Sequence, residues 1–224
     1  MNQKINTIGV YGGSFDPIHI GHLRFAQLAI EYFSLEKILF IPAYNLPHTY
    51  KDKVSDFKLR VKLISKAIED NDKFELSEIE SKREDKSYTI DTLRELNIIY
   101  PNAKLFFLMG SDSFLMINTW KNWKTLLNEY SHIVAVRPGY TLKKIEEFAK
   151  SFNLKYETIS ERKIGNFYNE HLSIKILTDS SILDISSTDI RKRLKEGRDI
   201  RYLVPEKVYN LIISENLYRE EKFG

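Results

Sequence analysis

The sequence predicts an α/β fold, a doubly wound and mostly parallel sheet with helices on both faces. Three observations carry that expectation. Short runs rich in β-branched and aromatic residues alternate along the chain with longer segments of helical period. Several of the short runs, LFFLM at 105–109 and IVAV at 133–136 among them, are apolar throughout, as strands covered on both faces must be. The first run leads directly into a glycine-rich stretch, GGSFDPIHIGH (12–22), at the position where the first βα connection of such a sheet borders its ligand crevice.

Taken in order, residues 5–11 (INTIGVY) are the first strand and 22–33, which follows the glycine-rich stretch, is the first helix. The compact apolar run 37–42 (KILFIP) is the second strand, and 57–70 reads as the next helix. Strand 74–80, helix 88–99 and strand 104–109 continue the alternation. Helix 120–128 rests on two tryptophans three apart, and strand 132–137 on the IVAV run. Helix 142–152, strands 154–159 and 173–177, and helices 188–195 and 205–216 complete the set. Between the last two strands, the polar segment 160–172 reads as a surface loop. No repeat, low-complexity tract or Pro/Gly/Ser-rich linker divides the chain, so residues 1–224 read as one Rossmann-like domain, with 185–224 a small C-terminal helical part.

Composition narrows the function classes. The 224 residues can close a full core. A net charge of +3, from 34 basic against 31 acidic residues, lacks the concentrated basic patch of a nucleic-acid binder. With no cysteine, disulfides, zinc–thiolate sites, iron–sulfur clusters and thiol nucleophiles are excluded. No stretch approaches the ~18 apolar residues of a membrane span, and the opening MNQKINTIGV has no apolar leader. The chain reads as cytoplasmic, without a membrane partner; an oligomer is compatible with it but not derivable.

In GGSFDPIHIGH, Gly12 and Gly13 open backbone conformations closed to other residues and permit close approach of a ligand. Asp16-Pro17 is a turn signal, and the helix start behind it offers unpaired N–H groups to an anion. His19 and His22 are three apart, so their rings face one way and can donate to phosphate oxygens, with Gly21 between them leaving room. A metal pair or ordinary surface histidines also fit that spacing. No Glu follows the first His as in a zinc-protease helix, however, and no third ligand is near.

HIGH resembles the H-x-G-H signature of the nucleotidyltransferase superfamily. GGSFDPIHIGH as a whole is similar to the opening of bacterial nicotinate-mononucleotide adenylyltransferases. Farther on, DISSTDIRKRLKEG (184–197) reads physically as a helix start: Ser186 and Asp189 resemble a capping box, and Gly197 follows the end. ISSTDIR also resembles the superfamily motif I-S-S-T-x-I-R. There it holds the β and γ phosphates, while the histidine loop holds α and β. SYTIDTL (87–93) is similar to a segment whose Tyr88 and Thr89 backbone is implied to receive a nicotinate carboxylate; a helix start capped by Ser87 or Thr89 fits it too. GSDSF (110–114) resembles a ribose-contacting G-x-D, though Asp112 also fits a simple cap. In TWKNW (119–123), Trp120 matches the family's ring-stacking tryptophan and Trp123 reads as packing, as does the tail YLVPEKVYNLI. REDKSYT carries Asp85 where the family has glycine, and LPHT (46–49) stands where P-P-H-K is commoner.

The resemblance implies adenylyl transfer from ATP to nicotinate mononucleotide, with Mg²⁺ carried in by ATP and no metal site built by the protein. It implies catalytic roles for His19, His22 and Arg191. ATP would be bound by Gly12, Gly13, Ser14, Phe15, Gly110, Asp112, Ile185, Ser186, Ser187 and Thr188. Nicotinate mononucleotide would be bound by Asp16, His48, Tyr88, Thr89, Trp120 and Arg137. Three other readings stay open: the amidated mononucleotide or phosphopantetheine as acceptor, and a non-catalytic adenine-nucleotide sensor.

Overall fold

The computed structural model describes residues 6–46, 54–160, 174–179 and 181–219. Seven strands form one sheet, and every neighbouring pair in it runs parallel. They are β1 (Asn6–Gly13), β2 (Lys37–Pro42), β3 (Phe74–Leu76), β4 (Ala103–Gly110), β5 (Ser131–Ala135), β6 (Tyr156–Ser160) and β7 (Ile174–Thr178), in the order β3-β2-β1-β4-β5-β7-β6. The helices are α1 (Ile20–Phe33), α2 (Phe57–Ile68), α3 (Thr89–Ile99), the single turn α4 (Ser111–Phe114), α5 (Trp123–Glu129), α6 (Leu142–Ser151), α7 (Ser187–Lys195) and α8 (Glu206–Ser214).

The unbroken apolar runs have the expected cause. Along β4, Leu105, Phe107 and Met109 enter one core while Phe106 and Leu108 enter the other, and β2 alternates likewise. Helices α3 to α6 cover the face that carries Leu105, Phe107 and Met109, and α1, α2, α7 and α8 the face that carries Phe106 and Leu108. The C-terminal helices therefore share the core of the first ones: Ile190, Val208 and Ile212 are wholly buried in it.

The order of the strands places the site. From β1 the chain winds outward to β2 and β3, then crosses back to lay β4 on the other flank of β1. The crevice at this reversal lies beyond the carboxyl ends of β1 and β4, at Gly13 and Gly110. Farther out, β7 inserts between β5 and β6.

Two elements differ from expectation. The strand expected at 74–80 ends at Leu76, and Ile79–Lys82 forms a 3₁₀ turn that buries Ile79 and Glu80. The helix expected from Trp120 begins at Trp123, because Asn122 takes a left-handed conformation (φ 51°) and Trp120 is extended. Of the loop expected at 160–172, Ser160 ends β6 instead and residues 161–172 lie outside the described residues.

Candidate active site

The stretch after β1 is shaped less by its glycines than by its bulky members. Neither Gly12 nor Gly13 has a positive φ; the left-handed residue of the loop is Phe15 (φ 49°), whose ring is buried against Tyr11 and His22. The glycines serve by leaving space, since both line the cavity and a Cβ on Gly13 would meet the Phe15 ring at 3.3 Å.

His19 caps α1 and His22 is its third helical residue. Each ring's Nδ1 accepts the other residue's backbone N–H, at 3.3 Å for His22 N and 3.2 Å for His19 N. The rings stack with centroids 3.6 Å apart. Burial, and then the charge of Arg137, lower the His19 pKa to about 3, and His22 is likewise held well below its ordinary value, chiefly by burial. Both imidazoles are therefore neutral at pH 7. Because each Nδ1 is an acceptor, each ring carries its proton on Nε2. The capping geometry thus yields two parallel N–H donors, with the tautomer fixed by backbone.

The start of α7 is tied to that loop. Ser186 caps the helix by accepting the Asp189 amide at 3.1 Å, as expected, but the Asp189 carboxylate turns to Arg193 at 2.6 Å instead of closing the box. Ser187 Oγ donates to the Pro17 carbonyl at 2.9 Å, and Arg191 Nη1 to the Asp16 carbonyl at 2.7 Å. On the far flank, Arg137 follows β5. It pairs with Asp112 at 3.1 Å and donates to the Ile185 carbonyl at 3.1 Å, while its amide reaches Ser111 Oγ. A Cβ at Gly110 would lie 2.4 Å from Asp112 Oδ1 and 2.9 Å from Arg137 Cδ, so these side chains would have to shift to admit one.

These pieces enclose a cavity of about 350 Å³. Gly12, Gly13, Ser14, Phe15, His19, His22, Gly110, Asp112, Trp120, Arg137, Ile185, Ser186, Ser187 and Thr188 all line it, so fourteen residues singled out from sequence converge. Arg137, expected with the acceptor residues, bridges Asp112 to Ile185 in this same wall. Four others are not brought to the wall. Asp16 is 2% exposed and its carboxylate is taken up by the Ser55 amide and the Tyr218 hydroxyl. Arg191 reaches the loop from behind. Tyr88 is the N-cap of α3 without a side-chain bond, and Thr89 starts that helix. The expected Ser87 cap is absent because Ser87 Oγ accepts the amides of Tyr44 and Asn45 instead. His48 lies outside the described residues. Trp123 packs on Phe152 as expected, whereas Trp120 meets Phe107 edge-on. Lys121 joins the TWKNW segment to the start of α3: its ammonium lies 4.5 Å from the centre of the Tyr88 ring and 2.9 Å from Asp91.

Sequence reading missed Tyr11, Phe107, Ile182 and Leu183 in the wall, and Arg60 and Glu80 behind it. Leu183, 38% exposed, offered the one hint, an apolar residue standing just before a polar motif. Among the described residues no three His, Asp or Glu side chains are grouped to hold a metal, and no helix is long and apolar enough to cross a membrane.

Comparison with known proteins agrees with this architecture. A cytidylyltransferase-like family model matches residues 10–193. The chain is 37% identical over 210 residues to a probable nicotinate-nucleotide adenylyltransferase of Clostridium tetani, covering 94% of this chain and 98% of the relative. A protein of the same description from Exiguobacterium sibiricum is 41% identical over 211 residues, with 94% and 98% covered. In fold, the chain resembles the nicotinic acid mononucleotide adenylyltransferase of Plasmodium falciparum complexed with NaAD, with a TM-score of 0.72 at 22% identity over 95% and 97% of the two chains.

Proposed function

The chain belongs to the cytidylyltransferase-like family and, within it, to the nicotinate-nucleotide adenylyltransferases, and on that footing we propose that it transfers the adenylyl group of ATP to nicotinate mononucleotide. An oxygen of the acceptor's 5′-phosphate attacks the α-phosphorus of ATP. The bond from that phosphorus to the bridging oxygen breaks, and nicotinate adenine dinucleotide and pyrophosphate leave.

Such a transfer needs alignment and charge stabilisation more than a protein nucleophile. The observation that carries the reading is the pair of Nε2–H donors from His19 and His22, set in one cavity with the uncommitted amides at the start of α7. Two anion-binding ends joined by Ser187 and Pro17 suit a triphosphate held at both ends. In this reading the imidazoles donate to the oxygens of the α-phosphate, where charge builds. Ser187 and Thr188 hold the departing pyrophosphate, and Arg191 supports the loop beside them through the Asp16 carbonyl. Trp120, at the cavity's other side, offers its face to the pyridine ring, and the uncapped start of α3 at Tyr88 and Thr89 receives the carboxylate. Asp16 supports the loop instead of touching the substrate.

Enzymes of this family generally use a divalent metal with ATP. Among the described residues the one carboxylate of the wall, Asp112, is paired with Arg137, so the residues fit Mg²⁺ as an ion brought in by the nucleotide. Bound there, it neutralises phosphate charge.

The test supplies purified protein with ATP, Mg²⁺ and, in turn, nicotinate mononucleotide, nicotinamide mononucleotide and phosphopantetheine, and follows pyrophosphate. Release with the first acceptor is expected. Preference for the amide would replace the substrate, and no release with any of the three would leave a nucleotide sensor.

A further inference from the structure

The peptide unit between Ala43 and Tyr44, in the turn that leaves β2, is held from both sides by buried charge. Its carbonyl accepts from Arg60 Nη2 at 2.8 Å, and its amide donates to Glu80 Oε2 at 3.3 Å. Arg60 is 2% exposed and Glu80 6%. Burying ions is costly unless each finds strong partners, and here each spends one of its hydrogen bonds on the same peptide plane. A flip of that plane breaks both contacts at once.

Glu80 extends the hold toward α3. Its Oε1 accepts the Thr92 hydroxyl at 2.7 Å, and Thr92 Oγ1 in turn accepts from Arg83 Nη2 at 2.7 Å. Ser87 closes the circuit, because its Oγ accepts the amides of Tyr44 and Asn45 and its own amide donates to the Asn45 carbonyl at 2.7 Å. The turn after β2 and the segment opening α3 are therefore one unit, with Glu80 as its buried acceptor. None of the groups bonded to Glu80 lines the cavity of the two histidines.

We propose that Glu80 is a positioning residue for the acceptor substrate: through the Ala43–Tyr44 peptide plane and Thr92 it sets the spacing between the turn after β2 and the Ser87–Thr89 segment. This rests on the acceptor site assigned above. Glu80 touches no substrate, and its effect is confined to the acceptor side.

The experiment measures kcat and both KM values for the wild type, E80A and E80Q, with the melting temperature of each. Glu80→Ala is expected to raise the KM for nicotinate mononucleotide about tenfold while the KM for ATP stays within twofold. Glu80→Gln keeps an oxygen for the Tyr44 amide and an amide for Thr92 Oγ1, so both constants should lie within threefold of wild type. Should E80A fail to fold, Thr92→Val, which severs the link to α3 with little change of volume, is expected to raise the acceptor KM about threefold and leave that for ATP alone. Variants that raise both KM values alike, or neither, overturn the inference, as does an E80Q enzyme as impaired as E80A. Absence of pyrophosphate release by the wild type with this acceptor would remove the functional reading and the inference with it.

Discussion

Ser187 Oγ donates to the carbonyl of Pro17 at 2.9 Å, joining residues 170 positions apart in the chain. Beside it, Arg191 holds the Asp16 carbonyl, and the Ile20 amide donates to the Leu203 carbonyl at 3.0 Å. The starts of α1 and α7 are thus bonded to each other before any ligand arrives. Preorganisation of this kind spares an enzyme the cost of assembling its donors during the reaction. The first two contacts also fix backbone carbonyls of the loop that carries the histidines.

His19 performs two tasks that substitution can separate. Its Nδ1 caps α1, and the residue lines the cavity. Asparagine retains a capping oxygen for the His22 amide but has no group at the Nε2 position. His19→Asn is therefore expected to keep its unfolding free energy within about 0.5 kcal/mol of wild type, whereas His19→Ala loses about 1 kcal/mol with the cap. Both should lower kcat by roughly 10²–10³, the range for losing one transition-state donor. Urea unfolding and steady-state rates check the two halves, and an H19N enzyme within threefold of wild type would remove His19 from the chemistry.

Gly110 tests the wall opposite the histidines. In Gly110→Ala the new methyl displaces Asp112 and the Arg137 stem, parting an ion pair that also anchors Ile185. The expected result is a rise of about tenfold in the KM for ATP, because the disturbed side chains flank the ISST segment, as an interaction loss of ~1.4 kcal/mol gives. The acceptor KM, measured in the same assay, should change far less.

The extent to which this molecule is legible from sequence follows from the range of each interaction. The inner strands β2, β4 and β5 are found within a few residues, because burial on both faces leaves a nearly unbroken apolar run such as LFFLM. The histidines and ISST were found because their chemistry is local: a cap needs only residues three apart. The burial of Asp16 was not legible, because the partners of its carboxylate, the Ser55 amide and the Tyr218 hydroxyl, lie 39 and 202 residues away. Arg60 and Glu80 were passed over for the same reason, as charges on elements that read as ordinary. The start of α5 was misplaced because a single left-handed residue, Asn122, outweighs the spacing of two tryptophans.

Arg60 should prove a major stabiliser. Its guanidinium donates to the carbonyls of Ser55, Ser14 and Ala43 at 3.0, 2.9 and 2.8 Å, linking three segments of the site. Arg60→Met keeps the stem but leaves three carbonyls without that donor, a loss of roughly 3–5 kcal/mol by analogy with other buried charged groups. Lysine can reach one or two of the three, so Arg60→Lys should recover no more than about half. Denaturant unfolding of the two variants measures both numbers.

His132 supplies a pH-dependent counterpart. It is wholly buried on β5 against Phe107, and neither ring nitrogen has a partner in hydrogen-bond geometry among the described residues. Burial lowers its pKa to about 4, the Tyr130 backbone opposing only in part. Above pH 6.5 the ring is neutral in both the folded and the unfolded chain, so it imposes no proton-linked penalty. Between pH 6.5 and 4 the unfolded chain takes up the proton and the folded one does not, and stability falls by up to roughly 3 kcal/mol; below pH 4 the contribution is constant. His132→Leu removes both that loss and the unpaired nitrogens. At pH 7.5 the variant should be more stable by about 1 kcal/mol. Its advantage should then widen by roughly 3 kcal/mol as the pH is lowered to 4. His19 and His22 also resist protonation when folded, but they are present in both proteins, so the difference between the two unfolding curves isolates residue 132. An advantage that does not change with pH would mean that the folded protein accepts the proton on this ring.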